Sequence, residues 1–254
     1  MNVIFHDKPF KLTKENYPLG DTFHVIDNYL SEELHRHWDK TLVRSNLWSK
    51  TNQVSSDSKT GLPHHSFWGG TFFRDSLNEL EWCQGNQINK SDTYFARYFN
   101  TRVMNDFGFR WVTFDYMGLN SQTQGLDGTC HNDCAPDCDW NLSFLYYLNQ
   151  FWNPNWGGDL RVYNENIGSG VAEDMDKHEI GRIEFKPNRL LLFDGRIPHG
   201  AEAPKPSARY VDRRSCVLRG SEIRLLPKEE ERREVAPRQL RYQRYADHRV
   251  QNIQ

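Results

Sequence analysis

Between residues 109 and 218 the chain carries a series of short β-rich runs, separated by clusters of Gly, Pro, Asn and Asp. The runs are FRWVTFDYM (109–117), LSFLYYL (142–148), DLRVY (159–163), RIEF (182–185), RLLLF (189–193) and RSCVL (214–218). β-Branched and aromatic residues dominate several of them, which suits a pleated, half-buried surface. No convincing helical stretch intervenes, so the pattern reads as an antiparallel sandwich or barrel.

The chain ahead of these runs has a different texture. FHVIDNYL (23–30) reads as a strand ending at Ser31. SEELHRHWDKTLV (31–43) then reads as a helix, with Ser31 as N-cap and Glu32 and Glu33 in the first turn. SDTYFARYFNTRVMNDFG (91–108) is a second helix, with Tyr94, Phe95, Phe99, Val103 and Met104 near one face and Gly108 as C-cap. Residues 44–70 are rich in Ser, Thr and Gly and read as a long loop. Its end brings His64, His65, Phe67 and Trp68 together, which suits a lid. The expected organisation is one catalytic domain, mainly β with flanking helices. Helical support and the loop occupy 1–108, the β core 109–226, and a charged tail or surface helix 227–254.

Composition removes several function classes. With 32 basic and 34 acidic side chains the 254-residue chain carries a formal net charge of −2, so bulk charge would not hold nucleic acid. Mean hydropathy is −0.82, and no run approaches the ~18 apolar residues of a membrane-spanning helix. The opening MNVIFHDKPFKLTKENYP has no apolar signal core of ~7–15 residues, so a cytoplasmic location is expected. An odd count of five cysteines without an export signal argues against a disulfide framework.

The stretch that carries chemistry is TCHNDCAPDCDW, followed later by DGRIPHGAEAP. His131 and Asp133 are two apart, so on a strand both project to one face. An imidazole and a carboxylate side by side can take adjacent positions on a metal ion. His199, just after RLLLFDG, is the natural third donor. Two His and one carboxylate with open positions are the signature of non-haem Fe(II) oxygenases. Arg209, Arg213 and Arg214 follow within fifteen residues of His199, and an arginine fork can grip a carboxylate bidentately.

These residues resemble the 2-oxoglutarate- and Fe(II)-dependent oxygenases, in the branch related to prolyl 4-hydroxylases. The matching stretches are QTQGLDGTCHND (122–133), LYYLN (145–149), the run from Trp152 to Leu160, PNRLLLFDGRIPH (187–199) and RRSCVL (213–218). The resemblance implies a double-stranded β-helix, a jelly-roll core with flanking helices. It implies iron ligation by His131, Asp133 and His199, with 2-oxoglutarate and O2 as co-substrates. Arg213 would hold the distal carboxylate of 2-oxoglutarate, with Arg209 and Arg214 as rivals. Parity favours Arg213, because it puts Ser215 and Val217 on the inward face behind it. Tyr146, the first Tyr of LYYLN, would join that arginine, and Tyr116 is a further candidate for the same pocket. A carboxylate at position 133 points to hydroxylation rather than halogenation, which needs a small residue there. The partner is then a small-molecule or peptidyl substrate, with a lean toward a free amino acid or metabolite; no nucleic-acid or membrane partner is expected.

Two other readings fit parts of the same sequence. Cys130, Cys134 and Cys138 around His131 could form a structural zinc site, although their spacing is not a standard paired-cysteine pattern. A cupin-type metal oxygenase would keep the metal ligands without needing the arginine–tyrosine pair. The bland reading of the cysteines is that they are small thiols near the iron, open to oxidation.

Overall fold

The computed structural model describes residues 1–13, 19–44, 48–53, 66–74, 94–108, 112–134, 142–166, 172–205 and 215–225. The chain opens with two strands, β1 (Asn2–His6) and β2 (Thr22–Ile26), then helix α1 (Glu32–Trp38). Strands β3 (Ser49–Gln53) and β4 (Ser66–Arg74) precede helix α2 (Tyr94–Phe107). The remainder is β5 (Val112–Gln122), β6 (Leu142–Tyr147), β7 (Leu160–Tyr163), α3 (Ala172–His178), β8 (Glu179–Ile183), β9 (Leu190–Asp194), β10 (His199–Ala201) and β11 (Ser215–Leu225).

The strands form two sheets. The larger has the order β1-β2-β9-β6-β11-β5-β4-β3, and the smaller has the order β10-β7-β8. An isolated antiparallel bridge between His131 and His199 adds the 131 segment beside β10. From β5 onward the chain switches between sheets: large at β5, small at 131, large at β6, small at β7 and β8, large at β9, small at β10, large at β11. That alternation is a double-stranded β-helix, the expected jelly roll.

Two cores explain the apolar runs. One lies between the large sheet and the helices and includes Trp38, Phe99, Met117, Phe144, Tyr146 and Leu190. The other lies between the sheets and includes Phe23, Leu145, Tyr147, Leu160, Phe185 and Phe193. Strands β6 and β9 are buried at every residue because each serves both cores. Their sequences therefore read as continuous apolar runs without a polar face. Successive residues of β6 go to opposite sides, which decides the role of its two tyrosines.

The helices form where the sequence places them. Ser31 Oγ accepts a hydrogen bond from Leu34 N at 3.4 Å, capping α1, and one π-helical turn, Asp39–Val43, extends it. Phe95, Phe99, Val103 and Phe107 of α2 are buried at four-residue spacing, and the Phe99 ring stacks on Phe144 at 5.1 Å. The side chains of Tyr94 and Met104 lie outside the described ones. Gly108 ends α2 with φ +78°, the left-handed turn that favours glycine.

Three features depart from the sequence reading. Residues 1–108 contribute four strands to the large sheet as well as helices. The segment 44–70 is not a single loop: β3 and β4 pair with each other, and β4 pairs with β5 through Trp68↔Ser121 and Gly69↔Asn120. Strand formation there depends on a distant partner, so local composition did not reveal it. The short helix α3 also interrupts the β-rich half. Residues 54–65, with His64 and His65, lie outside the described residues, as does the tail 227–254.

Candidate active site

His131, Asp133 and His199 converge. Their ligand atoms all lie within 4.8 Å of one another, the only such His/Cys/Asp/Glu group among the described residues. Asp133 Oδ1 is 3.5 Å from His131 Nε2 and 3.6 Å from His199 Nε2. The two imidazole rings are 4.6 Å apart between centroids. The His199 side chain is 3% exposed and that of Asp133 1%, whereas that of His131 is 37% exposed. One face of the triad is thus open and the other sealed.

Backbone contacts aim the donor atoms. His131 Nδ1 meets the Thr129 carbonyl at 2.9 Å, and His199 Nδ1 meets the Ile197 carbonyl at 2.8 Å. A carbonyl can only accept, so each Nδ1 carries the proton and each Nε2 presents a lone pair. Such contacts fix the tautomer and orientation of a metal-binding histidine. Burial, followed by the neighbouring His131, holds His199 down to about pKa 3, so its ring is neutral, as a ligand must be.

The turn between β9 and β10 sets this geometry. The Asp194 carboxylate accepts from Arg196 N and from Arg196 Nε, both at 2.9 Å. The Gly195 carbonyl accepts from Asp133 N at 2.8 Å, and His131 and His199 exchange backbone hydrogen bonds at 2.9 Å. The run DGRIPHG therefore positions all three donors, not His199 alone. His199 opens a short strand rather than sitting in the turn itself.

A small cavity adjoins His131 and His199. Phe67, Leu145, Leu160, Phe185 and Val217 give it apolar walls; Asn120, Gln122 and Tyr147 add polar groups. Gln122 donates to the Leu126 and Ala201 carbonyls at 2.8 and 3.1 Å, which fixes its amide. The Tyr147 hydroxyl is buried with no hydrogen-bond partner among the described residues. Burial above all pushes its pKa up, so it is a neutral donor at the cavity wall.

The structure separates the predicted co-substrate residues. Tyr146 does not line the cavity. Its hydroxyl lies 2.6 Å from His35 Nδ1 and 2.9 Å from Asn188 Oδ1, on the helix side of β6. Its neighbour Tyr147 lines the cavity instead, and the alternation Leu145, Tyr147 against Phe144, Tyr146 is the sequence signal that puts the two tyrosines on opposite faces. Tyr116 lies on β5 and shares the parity of cavity-lining Asn120 and Gln122, but its side chain is outside the described ones. Arg209, Arg213 and Arg214 are also outside the described residues. Val217 of β11 lines the cavity. Phe67 of β4 lines the cavity too.

The cysteines do not build a metal centre among the described residues. Cys130 is buried with Tyr163 and Met175, its Sγ 3.6 Å from the Glu165 carbonyl. Cys134 is half-buried and Cys138 lies outside the described residues.

Fold and donor set together give a jelly roll in which His131, Asp133 and His199 could hold a metal ion. Residues 117–218 match the model of the 2OG-Fe(II) oxygenase superfamily. The family's reaction uses Fe(II), 2-oxoglutarate and O2, and the donor set fits the metal: two neutral imidazoles and one carboxylate aimed at a common point. No curated protein sequence matches the chain. Among solved structures, a Pseudomonas putida prolyl-4-hydroxylase is similar at 14% identity and TM-score 0.46, over 81% of this chain and 93% of that one. A Trichoplax adhaerens prolyl hydroxylase, in complex with a hypoxia inducible factor oxygen degradation domain peptide fragment, is 19% identical with TM-score 0.46, over 81% and 86%. A Burkholderia pseudomallei oxidoreductase of the 2OG-Fe(II) oxygenase family is 12% identical with TM-score 0.48, over 84% and 88%. No helix among the described residues is long and apolar enough to cross a membrane.

Proposed function

We propose that the protein is an Fe(II)- and 2-oxoglutarate-dependent dioxygenase that hydroxylates an unactivated C–H bond of an amino acid, a small metabolite or a peptidyl residue. The observation that carries this reading is the convergence of His131 Nε2, His199 Nε2 and Asp133 Oδ1 beside a cavity walled by apolar side chains and the Tyr147 hydroxyl. When bound, iron and the keto acid supply the oxidising chemistry, in which 2-oxoglutarate is converted to succinate and CO2 as O2 is consumed. His131, Asp133 and His199 would hold the metal through these three atoms, and three protein donors would leave room on it for co-substrate and oxygen.

Tyr147 would donate its hydroxyl proton in a hydrogen bond to a 2-oxoglutarate carboxylate, which gives this buried polar atom a partner. Arg213 would supply the opposing charge as a bidentate fork. The apolar walls formed by Leu145, Leu160, Phe185 and Val217 exclude water around the co-substrate, which strengthens both contacts. His131, the exposed ligand, marks the side from which a substrate C–H bond reaches the metal.

The test is anaerobic addition of Fe(II) and 2-oxoglutarate to the full chain. A visible metal-to-ligand charge-transfer band is expected, and its absence in folded protein would overturn the reading. Release of succinate over a panel of amino acids, peptides and metabolites then identifies the substrate. A cupin-type oxygenase would bind Fe(II) without developing that band.

A further inference from the structure

Asp133 is held at both its backbone and its carboxylate, and the second hold comes from a residue no ligand pattern includes. Ser143 Oγ donates to Asp133 Oδ2 at 2.6 Å. Ser143 is fully buried on β6, on the same face as cavity-lining Leu145 and Tyr147. The other carboxylate oxygen, Oδ1, is the one that faces both imidazoles, at 3.5 and 3.6 Å. The two oxygens of one carboxylate are thus given different tasks.

The packing around this pair leaves little room for another arrangement. Gly195 lies against it: a Cβ added there would meet Ser143 Oγ at 2.8 Å and Asp133 Cβ at 3.1 Å. The Gly195 carbonyl also accepts from Asp133 N at 2.8 Å. Rotation of the carboxylate toward the metal, to bind through both oxygens, would break the bond to Ser143 Oγ and leave that hydroxyl buried without it. A buried hydroxyl that loses its partner is costly.

We propose that Ser143 is a positioning residue that keeps Asp133 a one-oxygen ligand, with Gly195 providing the space this requires. The metal then receives one oxygen from Asp133, and a coordination position stays available to the co-substrate. This inference rests on the metal-binding part of the proposed function and assigns a role to a residue outside the ligand set. Outer partners of metal ligands typically contribute about 10–100-fold in metal affinity.

The experiment uses Co(II) as the probe, with binding followed by titration and the visible d–d spectrum of the full chain. Ser143→Ala removes one oxygen atom and adds no bulk. It is expected to weaken Co(II) binding about tenfold or more and to alter the d–d bands, while far-ultraviolet circular dichroism stays close to wild type. Gly195→Ala, which crowds the same pair, is expected to change the spectrum in a second, independent way. Unchanged affinity and an unchanged spectrum in Ser143→Ala would overturn the role of Ser143 while leaving the metal site in place. Failure of the wild-type protein itself to bind Co(II) would instead overturn the metal site and the proposed function with it.

Discussion

Tyr146 and Tyr147 are adjacent in sequence and lie on opposite faces of β6. Tyr146 reaches His35 and Asn188 beneath the helices, whereas Tyr147 closes the wall of the cavity beside the metal-ligand triad. The two side chains are chemically identical, so exchanging each for phenylalanine separates structural from ligand-binding use of a phenol. Tyr147→Phe is expected to raise the KM for 2-oxoglutarate about tenfold, since a hydrogen bond to a charged group contributes about 1.5 kcal/mol or more. Tyr146→Phe is expected to leave that KM unchanged and to lower stability by about 1 kcal/mol. Succinate formation against 2-oxoglutarate concentration, together with urea melts, checks both arms. Equal KM effects would show that the division between faces does not govern co-substrate binding.

The proposed anchor for the keto acid is Arg213, which precedes β11 in the sequence, the strand whose Val217 lines the cavity. Arg213→Met is expected to raise the KM for 2-oxoglutarate about 30-fold or more, because a lost charge-assisted pair costs about 2–3 kcal/mol. Arg214→Met should change it less than twofold. A larger effect at 214, or at Arg209, would move the anchor there.

The sequence made the site more legible than its scaffold. His131 and Asp133 are close in sequence, and His199 follows a strand whose apolar run was plain, so residue type and spacing pointed to the three residues that converge. Strands β6 and β9 were visible as uninterrupted apolar runs, but burial on both faces hid which side each residue serves. That concealment produced the choice of Tyr146. The strands β1, β3 and β4 were invisible because their pairing partners are distant: β1 lies beside β2 in parallel register, and β4 beside β5. Ser143 was equally hidden, since a serine in an apolar strand carries no ligand signature until Asp133 is brought against it.

The pairing of β1 with β2 brings His6 Nε2 to 2.8 Å from His24 Nδ1, with the Phe10 ring against both histidines. Burial, and then the His6 ring, hold His24 down to about 4 from its usual 6.5; burial also lowers His6. Between pH 4 and 6.5 the folded chain therefore binds fewer protons at His24 than the unfolded chain. The stability this site provides is complete above about pH 6.5, and it is lost as pH falls toward 4. The melting temperature should drop across that window, and the drop should be smaller in His24→Phe, which keeps an aromatic ring but has no basic nitrogen. Parallel pH profiles for the two proteins would remove His24 as the cause.

The junction between β2 and β9 depends on a nearly buried guanidinium. Arg189 is 4% exposed and directs Nε and Nη2 at the two oxygens of Asp27, at 2.6 and 3.2 Å, while Nη1 donates to the Glu184 carbonyl at 2.8 Å. Asp27 follows β2 and Arg189 precedes β9, so this fork ties together the ends of two paired strands. Asp27→Ala would leave the guanidinium buried with its charge uncompensated, and breaking a fully buried pair costs about 3–5 kcal/mol. The Asp27 side chain is 26% exposed, which lets water replace part of the lost contact, so a loss of about 2–3 kcal/mol is expected. Arg189→Met in the same background removes the stranded charge and should recover part of that loss. Urea unfolding of the two variants measures the difference. A double variant less stable than Asp27→Ala alone would mean that Arg189 stabilises the junction through packing and the Glu184 carbonyl rather than through its charge.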